Sequence, residues 1–86
     1  MTALTVRNAL IRIKPARIAL GDSNSAFYAK VAAGLVTRPI KTGPRSAALP
    51  LAEIEAVNAA RIAGQSDVAI RALVQRLHSE RVQVGA

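Results

Sequence analysis

The chain has 86 residues, room for one domain or one domain and a tail, and its apolar fraction of 51% is enough for a core. That fraction is alanine-rich, with one Phe, one Tyr and no Trp, so a thin core and a largely helical chain are expected. The net charge is +7; there is no cysteine, one histidine and five acidic residues, which leaves no disulfide, no thiolate or zinc cluster and no nucleophile–base pair. The expectation is a non-enzyme without metal, cofactor or small-molecule substrate.

The charge is unevenly spread. Residues 1–50 carry Arg7, Arg12, Lys14, Arg17, Lys30, Arg38, Lys41 and Arg45 against Asp22 alone. Residues 51–86 carry Arg61, Arg71, Arg76 and Arg81 against Glu53, Glu55, Asp67 and Glu80, and so balance. A polyanion-facing first part and a neutral structural or partner-facing second part are implied.

Residues 1–9 lack periodicity and are expected to form a flexible N-terminal arm. Arg7, Arg12 and Lys14 interrupt the apolar residues of the first segment, which does not read as a signal peptide. No apolar run reaches the roughly 18 residues of a membrane span. The expected location is cytoplasmic, at the nucleoid.

Leu10-Ile11-Arg12-Ile13 is a short β-rich run. Pro15 suits the first turn of a helix to Leu20, which Gly21 closes. Asp22-Ser23-Asn24-Ser25 is a run of capping residues; with Ser23 as cap, a second helix runs to about Ala33 and stops at Gly34. Phe27 and Val31 share its core-facing side, leaving Asn24, Ser25, Tyr28 and Lys30 off it. Two short helices joined by a glycine turn form a helix-turn-helix pattern.

Val36–Lys41 and Ser46–Leu49 flank a Gly-Pro turn and predict a hairpin, with Pro39 at an edge or bulge. It carries Arg38, Lys41 and Arg45 and no acid. A further helix is expected over Leu51 to Ala63, with Glu53 and Glu55 in its first turns and Ile54 and Val57 as its apolar stripe. Gly64-Gln65 breaks it. Ser66-Asp67 caps a last helix to about Arg81, in which Ile70, Leu73, Val74 and Leu77 follow helical spacing.

From Ile13 to about Gly64 the chain resembles the AlpA family of small prophage regulators. The resemblance rests on Ser23-Asn24-Ser25-Ala26-Phe27-Tyr28, on Ala33-Gly34, on Arg38-Pro39-Ile40-Lys41-Thr42-Gly43-Pro44-Arg45-Ser46 and on Glu53-Ile54-Glu55-Ala56-Val57. It departs from the family pattern at Asn24, near Ala29, and at Leu49 and Val57, and the last helix lies outside it. The family is akin to excisionases and to the MerR DNA-binding domain. The resemblance implies a mostly α fold with a small β-hairpin, a winged helix-turn-helix over residues 10–64 plus a C-terminal helix over 65–86.

It also implies sequence-specific binding of double-stranded DNA by a mobile-element accessory factor. That factor would be excisionase-like and assemble cooperatively on attachment-site DNA. A transcriptional regulator is the alternative, with an integrase or RNA polymerase as partner. An RNA-binding protein and an antitoxin-like interaction protein are the competing classes.

The DNA-contacting candidates are Ser23, Asn24, Ser25, Tyr28 and Lys30 on the recognition helix, and Arg38, Lys41, Thr42, Gly43, Arg45 and Ser46 on the wing. Several have two readings. Asn24 and Ser25 either read bases or cap the helix. Tyr28 either donates to a phosphate or edges the core, and Lys30 either pairs with a phosphate or is solvated. The wing cations either contact phosphates or decorate a solvated hairpin, and Arg12, Lys14 and Arg17 either flank the backbone or are solvated. Ile70, Leu73, Val74 and Leu77 either pack on their own domain or meet a second protomer. His78 reads as a helix-face residue rather than a ligand.

Overall fold

The computed structural model describes residues 9–84. The expected N-terminal arm lies, but for Ala9, outside the described residues. Seven elements follow in order: β1 (Leu10–Arg12), α1 (Ile13–Ala19), α2 (Asn24–Ala32), β2 (Ile40–Gly43), β3 (Ser46–Pro50), α3 (Leu51–Ile62) and α4 (Asp67–Val84). The fold is mostly helical with one small antiparallel sheet.

Local chemistry sets most of the boundaries. Pro15 occupies the first turn of α1, where its missing N–H is one the helix would leave unpaired anyway. The Ser23 hydroxyl accepts the Ala26 N–H at 3.2 Å and starts α2. Gly21, Gly34 and Gly64 end α1, α2 and α3 at φ of 73–78°, left-handed backbone that a Cβ disfavours. Each is followed by a residue whose N–H reaches back to close the last turn, as Asp22 does to Arg17 O at 2.8 Å and Leu35 to Lys30 O at 2.8 Å.

The sheet is larger than the expected hairpin. Its order is β1-β3-β2, with Ile11 opposite Leu49 and Lys41 opposite Ala47. The first hairpin strand also starts later than Val36. Val36 and Thr37 are buried, and Pro39, which has no N–H for the ladder, precedes β2 instead of lying within it.

The core joins all four helices to the sheet: Ala16 from α1 and Leu20 at its C-cap, Phe27 from α2, Val36, Leu49 from β3, Ile54, Val57 and Ala60 from α3, and Ile70 and Val74 from α4. Leu73 and Leu77 are half-buried against it. The apolar stripe of α4, one reading of which was a protomer interface, is thus used within the chain. The physical reason is the thin core: α4 supplies Ile70 and Val74 to its buried cluster, with Leu73 and Leu77 packed against it.

Three ionic ties fasten the helices. Asp22, in the α1–α2 turn, is buried; Lys30 Nζ donates to its Oδ1 at 2.6 Å, and Arg61 Nη1 lies 3.5 Å from its Oδ2. Arg61 also donates to Leu20 O at 2.9 Å, so α3 holds the turn between α1 and α2. Arg71 Nε donates to Ala33 O at 2.9 Å and caps α2 from α4. Glu53 lies in the first turn of α3, as expected, and is also buried and paired with Arg81 of α4.

Candidate nucleic-acid interface

On α2, a helix turning 100° per residue puts Ser25 and Tyr28 on the same side, with Asn24 one turn before Tyr28. All three are exposed. Because Ser23 supplies the cap, Asn24 is free of that duty. The Tyr28 ring stands edge-on to the buried Phe27 ring, with centroids 5.0 Å apart and planes at 82°. Packing against a fixed partner limits the ring's motion while leaving Tyr28 48% exposed.

Lys30 does not join this group. Two residues on from Tyr28, it points some 200° around the helix, and its ammonium is held by Asp22. It serves the fold of the helix pair.

The hairpin places Lys41 and Thr42 on β2, Pro44 and Arg45 at its tip and Ser46 at the start of β3. A register shift between Lys41 and Gly43 bends the strand there. Thr42 Oγ1 donates to Ser46 Oγ at 3.1 Å across the tip. A Cβ on Gly43 would sit 2.8 Å from that same Ser46 Oγ, so a side chain there would turn the hydroxyl away from this bond.

Between the start of α1, α2 and the hairpin lies an open cleft of ≈ 520 Å³. Arg12 and Lys14 line it from the β1–α1 corner, Tyr28 from α2, and Lys41, Arg45 and Ser46 from the hairpin. The sheet makes this possible: β1 and β2 both pair with β3, which brings Arg12 to the side of the hairpin strands. No acidic side chain lines the cleft. Among the described residues, none of its four cations has an ion-pair partner. Arg12 and Lys14 are the residues that local sequence left open between two roles; only the β1–β3 pairing assigns them to this cleft.

Arg38 is set apart from Lys41 and Arg45. Its backbone N–H donates to His78 Nε2 at 3.0 Å and its carbonyl accepts from Arg81 Nη2 at 2.7 Å. Its side chain shares a separate groove with Arg71 and His78. Since a backbone N–H can only donate, the His78 Nε2 must carry a lone pair, and the proton of the neutral ring sits on Nδ1. The Arg38 Nη1 at 3.3 Å from Nδ1 is then a contact, not a second hydrogen bond. Burial, and then the charges of Arg38 and Arg81, hold the His78 pKa below its ordinary value, while Glu53 pulls the other way.

Among the described residues, no helix is long and apolar enough to cross a membrane, and no three acidic or histidine side chains converge as a metal site would need. Compared with protein-family models, with curated proteins and with solved structures, the chain matches none.

Proposed function

We propose that the chain binds double-stranded DNA as a winged helix-turn-helix protein. In this reading α1 and α2 are the helix-turn-helix, α2 is the recognition helix and the β2–β3 hairpin is the wing. The observation that carries it is the cleft. Four cations from three separate elements, without ion-pair partners among the described residues, line one acid-free groove, beside an α2 whose exposed N-terminal side offers Asn24, Ser25 and Tyr28. Like charges gathered this way repel one another, and a polyanion relieves the repulsion.

The chemistry suits duplex DNA. An α-helix fits the major groove, and residues near its N-terminus reach base edges. Asn24 matches the paired donor and acceptor of adenine. Arg12, Lys14, Lys41 and Arg45 line the cleft beside α2 and would serve as its phosphate contacts. The scarcity of aromatic side chains disfavours single-strand binding, which relies on stacked bases.

The resemblance to the AlpA family supports a role as an accessory factor of a prophage or integrative element, excisionase-like, with transcriptional regulation as the alternative. One short recognition helix reads few bases, so several copies side by side would raise selectivity. Such an assembly would use surfaces other than Ile70 and Val74, which face the chain's own core.

The test is a gel-shift titration at two salt concentrations. The duplexes are the attachment site of the element encoding the chain, its upstream region and a scrambled sequence, with duplex RNA as competitor. Laddered, selective shifts on the attachment site support the excisionase-like role, and selectivity for the upstream DNA alone supports the regulator. No shift on any DNA duplex overturns the proposal. If all four cleft cations neutralise a phosphate, log K falls with log salt at a slope of about −3.6.

A further inference from the structure

The chain entering the hairpin is held by side chains of α4. Among the described residues, no backbone–backbone hydrogen bond outside helices and strands involves residues 36–39. The backbone of Arg38, two residues before β2, is instead gripped at both polar groups. His78 accepts its N–H and Arg81 donates to its carbonyl. His78 and Arg81 are three apart on α4, so they reach the segment from one face. Arg81 is itself anchored by two bonds to the buried Glu53 of α3.

The two grips differ chemically. Arg81 is charged at any working pH, and its bond to Arg38 O does not titrate. His78 accepts the Arg38 N–H only while neutral. A proton on Nε2 turns the acceptor into a donor facing another donor. The charged groups around the ring add to the effect: Arg38 from the α2–β2 connection and Arg81 from α4 both oppose a third positive charge. Glu53 from α3 favours it, but both of its oxygens already accept from Arg81. Arg71 of α4 lines the same groove.

We propose that His78 is a protonation-dependent latch on the hairpin's entry: when neutral it holds the Arg38 N–H against α4, and when protonated it lets that group go, leaving Arg81 as the remaining side-chain grip on the Arg38 backbone. The latch stands on the contacts alone; its effect on DNA affinity rests on the reading of the hairpin as a wing.

The experiment is a ¹⁵N NMR titration of the full chain from pH 7.5 to pH 4.5, without DNA, followed by duplex-binding measurements at both ends of the range. The expected result is that the Arg38 amide shift and the His78 ring titrate with one midpoint, below 6.5. Protection of the Arg38 amide against exchange, relative to its neighbours, should drop by about fivefold, the worth of one hydrogen bond. In His78→Gln the side-chain oxygen accepts the same N–H without titrating, so the Arg38 amide should hold its shift throughout. An Arg38 amide that ignores pH in the wild type overturns the latch, and so does one that titrates equally in His78→Gln. Duplex affinity that weakens at acid pH in the wild type more than in His78→Gln supports the coupling to the wing. A titrating Arg38 amide with no duplex binding at either pH supports the latch and overturns only the DNA reading.

Discussion

Arg81 and Glu53, 28 residues apart, meet through two parallel bonds: Nε donates to Oε2 at 2.9 Å and Nη2 to Oε1 at 2.7 Å. Glu53 is almost wholly buried, and the fork geometry satisfies both of its oxygens. This pair locks α4 onto the start of α3, and the same guanidinium continues to the Arg38 carbonyl. One side chain therefore joins α3, α4 and the entry to the hairpin.

Removing one partner leaves the other charge buried and alone. Arg81→Ala is expected to destabilise the chain by about 3 kcal/mol, and Glu53→Ala by a similar amount. Urea unfolding followed by circular dichroism measures both. A double variant that costs no more than either single change would show that the two act as one unit. Additive losses would mean that the residues contribute separately.

Truncation before α4 tests its place in the core. Val74 is 2% exposed and Ile70 6%, so a chain ending at Gln65 should lose cooperative unfolding and near-native helicity. Val74→Ala in the full chain should cost about 2 kcal/mol. A truncated chain that still melts cooperatively would return α4 to the role of an attachment for a second protomer.

Stability should depend on pH through His78. Its folded pKa lies below the ordinary 6.5, so the unfolded chain binds the proton more readily. The stabilisation is therefore complete well above pH 6.5 and is lost as pH falls through 6.5 towards the lower folded value. Melting temperatures of the wild type should fall between pH 7 and pH 5 by more than those of His78→Gln. Parallel curves for the two proteins would contradict this.

If the cleft binds phosphates, Arg45→Ala should weaken binding to every duplex and make the salt slope shallower by about one unit. Arg12→Ala should do the same, although it lies on a different element. Fluorescence anisotropy at several salt concentrations gives both slopes. Unchanged slopes would remove these residues from the interface.

Asn24 and Ser23 should separate in their effects. Ser23→Ala removes the α2 cap and should cost about 1 kcal/mol of stability. Asn24→Ala should leave stability nearly unchanged yet narrow the preference for the selected site over a scrambled one by about 1–3 kcal/mol. Equal losses on both duplexes would deny Asn24 a base contact.

The sequence by itself determined the local punctuation of this protein. The proline in the first turn of α1, the Ser23 cap, the three closing glycines and the Gly-Pro hairpin tip act within a few residues, so their chemistry is legible without the fold. It also determined the one-sided charge of residues 1–50. The tertiary structure decided which charges remain free. Lys30 looked like an exposed recognition-helix cation, but Asp22 becomes buried beneath α3 and takes its ammonium. Arg38 reads as one of the hairpin's cations; its side chain is exposed and, among the described residues, without an ion-pair partner, but α4 returns 40 residues later to hold its backbone and sets it in a groove apart from the cleft. Arg12 and Lys14 read locally either as backbone-flanking or as solvated, and they enter the cleft because β1 pairs with β3. The apolar stripe of α4 read equally well as a core face or an interface, because periodicity shows that a face is apolar and not what covers it. In each case the partner is distant in sequence or buried by distant elements, and only packing brings it within reach.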